Sequence, residues 1–165
     1  METEILIISY NDDASHPIQA KIPTLFEQAW KLARWPAFIS LFVTLARFFS
    51  ERARIPSGVS FFIGIFWLTL FVGIYLGIRL TEDERPYGTL FLSLAVFAFL
   101  SRLPVVVLWW LTRTFSLGTR YDVFESWAQA LGAELVIGVA LQVISGGILG
   151  IIALHLTRRL PEEPS

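Results

Sequence analysis

The chain has 165 residues, 55 % of them hydrophobic and 15 % aromatic, and only 16 % are charged, against about 25 % in an ordinary soluble domain. That shortage of surface-wetting groups points to a membrane protein, and a net charge of -1 gives no footing for nucleic acid as a partner. With no cysteine in the chain, disulfides, thiolate metal sites, iron–sulfur clusters and cysteine nucleophiles are excluded.

Residues 1–23 read as a polar, extended arm. Residues 5–10 suit a short strand or arm, and Asn11, Asp12, Asp13, His16 and Pro17 suit turn and loop. The apolar run at residues 5–8 is too short for a signal-peptide core, so the first spanning helix is expected to serve as its own insertion signal.

Residues 24–54 read as amphipathic helices at or in the membrane. Thr24 and Glu27 fit the S/T-x-x-E capping box, and Leu25, Phe26, Ala29, Trp30 and Ala33 make one apolar face. Pro36 predicts a turn at Trp35, because the residue before proline avoids the helical region. Beyond it Ser40, Thr44, Arg47, Glu51 and Arg54 form a narrow polar stripe at helical spacing, within which Arg47 can pair with Glu51. The stripe can face water from an interfacial helix or face other helices from within the bilayer. The short uncharged run before Arg47 favours the first.

Residues 55–157 carry three predicted spans. The run 55–78 is uncharged and holds Gly73 and Gly77, a G-x-x-x-G spacing that lets another helix approach closely. A solvated turn, residues 79–86, leads into the span 87–111, whose oddity is Arg102 near its middle. A charge at this depth costs about 2.5–3.5 kcal/mol on insertion scales and calls for a partner or a wet cavity. Pro104 frees the carbonyl of Leu100 nearby. Trp109 and Trp110 read as an interface marker, and Tyr121, Phe124, Trp127 and Leu131 predict a surface helix over 121–131. The last span, 135–156, opens after Glu134 and carries a second G-x-x-x-G at Gly146 and Gly150. Residues 158–165 read as a polar tail.

The fold class is therefore all-α: a multi-pass transmembrane protein with three spans, or four if residues 37–50 also cross, plus amphipathic interfacial helices. With three spans, the lysine and arginine bias favours an inner N-terminus and an outer C-terminus.

Depth arithmetic nominates a partner for Arg102. It lies nine residues before Leu111 and Gln142 lies eight after Glu134, so both sit about 12–14 Å from the same membrane face. Arg102 is expected to bond Gln142, with Ser145 or freed carbonyls near Pro104 as further acceptors. The alternative is that it binds an anion, a lipid headgroup or a partner's carboxylate. Glu134 reads as an acid favoured by the macrodipole in the first helical turn. His155 is the one candidate cofactor ligand, for a tetrapyrrole. The other histidine, His16, lies in the arm, which excludes a bis-histidine haem between spans.

Catalysis finds little support. Ser145 and His155 are ten residues apart on one helix, about 15 Å, too far for a dyad. No P-loop, dinucleotide glycine pattern or H-E-x-x-H occurs. No cofactor is otherwise expected. The expected partners are the lipid bilayer and other integral-membrane subunits, and the expected role is a small non-catalytic subunit that packs within and stabilises a larger membrane complex. The alternatives are a homo-oligomeric channel or transport component with Arg102 lining an anion pathway, and a pigment- or haem-carrying subunit using His155.

Overall fold

The structure, a computed structural model, describes residues 24–53, 55, 64–118 and 124–159. The N-terminal arm, Arg54, residues 56–63 of the first predicted span, residues 119–123 and residues 160–165 of the tail lie outside them. The described residues form four helices and no strand: α1 Leu25–Arg52, α2 Ile65–Arg79, α3 Pro86–Thr114 and α4 Trp127–Arg159. The fold is all-α, and α1, α3 and α4 are long and apolar enough to cross a membrane. With 15 residues, α2 is about 22 Å long and falls short of a bilayer core of about 30 Å.

The capping box starts α1 as its sequence dictates. The Thr24 hydroxyl accepts from the Glu27 amide at 3.3 Å, and the Glu27 carboxylate accepts from the Thr24 amide at 3.1 Å. The predicted turn at Trp35 does not form, and the helix runs through Pro36. Packing overrides the local preference. Ala29, Ala33, Pro36, Ser40 and Thr44 are buried on one continuous face, so the small proline ring sits where a neighbour presses, and membrane helices tolerate the lost donor.

The same face turns Ser40 and Thr44 of the polar stripe toward other helices. Ser40 and Thr44 are turned inward, while Trp35, Phe38, Phe42 and Phe49 are exposed. The buried hydroxyls satisfy themselves: Ser40 donates to the Ala37 carbonyl at 2.6 Å and Thr44 to the Ser40 carbonyl at 2.8 Å. This part of the stripe lies on the face that packs against helices, chiefly α3, and Arg54 lies outside the described residues.

The surface helix and the last span predicted separately are one helix. Ser126 caps it, accepting from the Gln129 amide at 3.3 Å, and Gly132–Gly138 widens into a π-helical segment instead of breaking. Glu134 is consequently inside the helix and not in its first turn.

The chain runs up, down, up and down. At one end Leu25 lies beside Gly88, and the Arg158 guanidinium donates to the Thr81 carbonyl at 3.1 and 3.2 Å. At the other end Arg52 donates to the Leu117 carbonyl at 3.1 Å, and Arg113 to that of Phe124 at 3.0 Å. Thus α1 runs parallel to α3, and α2 parallel to α4.

The closest approach is between α2 and α4. Gly73 stands against the backbone of Gly146, and Gly77 against the carbonyl of Gly150. Both G-x-x-x-G pairs are used against each other within one chain. The apolar core, built around Val72, Leu76, Leu90, Leu94 and Phe97, lies on the Thr81 side of this crossing.

A methyl group at Gly73 would come within 2.9 Å of Gly146 backbone carbons, which have no side-chain freedom to yield, whereas one at Gly88 would meet Leu25 Cδ1 at 3.6 Å, ordinary contact. Gly73→Ala is expected to cost about 1–3 kcal/mol and to lower the thermal midpoint in detergent, with Gly88→Ala close to neutral. Equal midpoints for the two variants would refute the close crossing.

Candidate functional site

On the other side of that crossing the bundle interior changes character. Every polar side chain there is placed by a helix register. Glu134, Gly138 and Gln142 recur every four residues along α4, so all three face α3, where Ser101 and Arg102 meet them. Thr69, near the start of α2, completes the layer.

The Arg102 guanidinium, about 18 Å from the Thr114 end of its helix by helical rise, takes three acceptors from α4. Nε donates to Gln142 Oε1 at 2.7 Å, Nη1 to Glu134 Oε2 at 2.6 Å, and Nη2 to the Gly138 carbonyl at 3.5 Å. Because arginine only donates, Gln142 must present its oxygen here. Its amide nitrogen then donates to Thr69 Oγ1 at 2.7 Å and reaches Ser101 Oγ at 3.3 Å. Those hydroxyls donate in turn to the carbonyls of Ile65, at 2.7 Å, and Ala98, at 2.9 Å. The network is consistent from end to end, and Gln142 at its centre is only 1 % exposed.

Gly138 has a steric duty: a methyl group there would lie 2.9 Å from Arg102 Cζ. The side chains of Arg102 and Glu134 keep 20 % and 16 % of their surface exposed, and that surface opens on a cavity of about 270 Å³. Thr44, Arg47, Val105 and Trp109 also line it. Arg47 enters from α1, with its Nε 3.6 Å from Glu51 Oε1 one turn further on.

Several sequence expectations are relocated. Glu134 is an ion-pair partner of Arg102, and the macrodipole argument does not apply because α4 begins at Trp127. Ser145 stays on its own helix, donating to the Leu141 carbonyl at 2.7 Å, and does not reach Arg102. The carbonyl that Arg102 uses is that of Gly138, not one freed by Pro104. Trp109 is not an outward interface marker. It is buried, donates to the Phe124 carbonyl at 3.3 Å and stacks edge-on with Trp127 at 4.7 Å, while Trp110 is exposed.

His155 is exposed, and its Nε2 lies 3.2 Å from the Tyr87 hydroxyl, at the opposite end of the bundle from the cavity. Among the described residues no cluster of three or more histidine, aspartate or glutamate side chains could hold a metal ion. Sequence reasoning missed the Arg102–Glu134 pair, although its signal was legible: an acid, a glycine and a glutamine spaced four apart along the helix facing the arginine.

Removing one member of a buried ion pair strands the other charge, which typically costs about 3–5 kcal/mol, whereas removing both costs less. Arg102→Gln and Glu134→Gln are each expected to destabilise the bundle by about 3 kcal/mol, with the double variant regaining part of the loss. Thermal or denaturant unfolding in detergent reads the cycle, and simple additivity would refute the pairing. Comparison with protein-family models, with curated proteins and with solved structures finds no match.

Proposed function

We propose that the protein is a membrane-embedded binding or transport component whose site is the cavity between the helices. One observation carries this reading: Arg47 of α1 and Arg102 of α3 open on a common cavity, and charged side chains kept within membrane helices mark substrate or ion pathways. About 270 Å³ lies near the lower end of small-molecule sites, roughly 300–1,000 Å³. A single-chain site is favoured over a ring of copies by the engagement of the Arg102 guanidinium by α4 of the same chain.

The subunit reading retains one supporting observation. Its other two foundations are met inside the chain: both glycine pairs are used between α2 and α4, and Arg102 has its partners. What remains is the aromatic outer face of α1, with Trp35, Phe38 and Phe42 stacked edge to face and exposed. A foreign membrane subunit lying on that face is the second reading.

The charges at the bundle ends support a topology. With α1 crossing, among the described residues Lys31, Arg34, Arg79, Arg85, Arg158 and Arg159 gather toward the end that holds Thr81, while Arg52 and Arg113 sit at the other. The positive-inside rule then puts the Thr81 end inside. The helical bundle starts and finishes on the inner face, in place of the inner start and outer finish expected for three spans.

Two experiments test these statements. Val105→Phe intrudes on the cavity, so native mass spectrometry from mild detergent should show a small bound molecule on wild type that this variant lacks. A wild type carrying nothing that Val105→Phe releases sinks the binding reading, and foreign subunits at fixed ratio support the second one. For topology, the absence of native cysteine makes single replacements clean reporters. Impermeant maleimide on intact cells should label Glu125→Cys and spare Glu82→Cys. The reverse pattern would invert the orientation.

A further inference from the structure

The hydrogen-bonding balance of the cavity says what chemistry it takes. Among the described lining residues Glu134 is the one acid, and its Oε2 accepts from Arg102 at 2.6 Å. The Thr44 hydroxyl is committed to its own helix. Arg102 spends three of its five N–H groups on Gln142, Glu134 and Gly138, and two remain. Arg47 Nε is buried, finds no hydrogen-bond acceptor among the described residues, and meets Glu51 only at 3.6 Å. Among the described lining residues two guanidiniums thus face one carboxylate, so N–H donors outnumber acceptors even with Glu134 Oε1 counted as open. A cation or another donor would worsen that imbalance, and an oxyanion corrects it.

The rest of the lining is apolar: Val105, Ile65, Phe66 and the Trp109 ring. An anionic group that arrives with hydrocarbon attached matches both halves of the wall. The cavity volume fits a headgroup and not a whole amphiphile, whose tails would stay in the surrounding lipid.

Building on the binding reading, we infer that the cavity holds an oxyanion headgroup, phosphate or carboxylate, gripped by Arg47 and the unspent edge of Arg102. Glu134 and Gln142 act as positioning residues that fix the plane of the Arg102 guanidinium. Arg47 is the primary contact, since it meets Glu51 only at 3.6 Å whereas Arg102 is held by three acceptors. The same chemistry is available from an anionic lipid or from a soluble ion, and the test separates the two.

The full chain is reconstituted in phosphatidylcholine nanodiscs with and without phosphatidic acid, and inorganic phosphate is added as a competitor. Native mass spectrometry reads the lipid retained on release, and calorimetry reads phosphate. Wild type should retain phosphatidic acid over phosphatidylcholine, with Arg47→Gln losing ~10-fold of that preference and Arg47→Lys keeping part of it, as a point charge replaces a bidentate fork. Phosphate that binds and displaces the lipid identifies a soluble oxyanion as an accepted ligand; retention of phosphatidic acid that phosphate leaves untouched identifies the lipid headgroup.

No preference for phosphatidic acid together with no phosphate binding overturns the inference. So does full retention by a folded Arg47→Gln. The wild-type comparison of the two lipids needs no variant, so a misfolded Arg47→Gln leaves the question decided. If Val105→Phe still releases a neutral or cationic molecule when the oxyanion arms fail, the cavity remains a binding site and only its chemistry has been misassigned.

Discussion

One guanidinium at membrane depth sets the terms for this bundle. Arginine is charged under any ordinary condition and can only donate, so burying Arg102 commits the neighbouring helix to supplying acceptors. The response of α4 is a face of three: a carboxylate, a carbonyl and an amide oxygen at Glu134, Gly138 and Gln142. A side chain at Gly138 would close that face. The amide of Gln142 then needs an acceptor of its own, which α2 supplies at Thr69. Thr69 can be there only because Gly73 and Gly146 let α2 and α4 come close. The glycine crossing and the ion pair are thus one device, with the first setting the spacing that the second requires.

A polar network in a low-dielectric interior strengthens when every member is satisfied and becomes costly when one is not. That asymmetry explains the division of the bundle along its axis. Toward Thr81 the interior is aliphatic and aromatic, close-packed around Leu76, Leu90, Leu94 and Phe97. Toward Phe124 it holds the network and the cavity. The aliphatic half supplies packing without any geometric debt, which leaves the other half able to carry charged groups whose worth lies in binding.

How far the sequence led depends on whether a residue's context was local or tertiary. The all-α membrane class was legible because charge deficit and apolar length are properties of the chain alone. The meeting of Arg102 with Gln142 was legible because depth from a common membrane face is simple arithmetic once two spans are placed. Glu134 was misread for a local reason: the apolar run begins at Leu135, so the acid looked like a helix start. The helix in fact begins at Trp127, because the Ser126 cap and a π-widened segment carry it through Gly132. Pro36 failed in the opposite direction, as its local veto on helix yields to burial of the whole face from Ala29 to Thr44. Trp109 and Trp110 share a residue type and differ in everything else, since consecutive helical positions point about 100° apart and only one of the two faces the bundle.

Helix α1 holds the most interesting position, because its inner and outer faces answer to different demands. Inward it presents small groups, Ala29, Ala33, Ser40 and Thr44, whose hydroxyls are spent on their own backbone. Such a face gives close contact but no directional bond to α3. Its longer polar side chains come later, where Arg47 reaches the cavity and Arg52 bonds the Leu117 carbonyl. Outward it is aromatic and exposed. Between α3 and α4 the fit is fixed by charge and amide geometry, so the wall of the cavity made by Arg102 and Glu134 is rigid by construction. The wall made by α1 rests chiefly on shape, with the Arg52 bond to the Leu117 carbonyl at its end, and shape complementarity resists sliding less than a bidentate contact does. If one wall of this cavity adjusts to what enters, it is the one that brings Arg47, a cavity-lining charge whose ion pair with Glu51 stands at 3.6 Å.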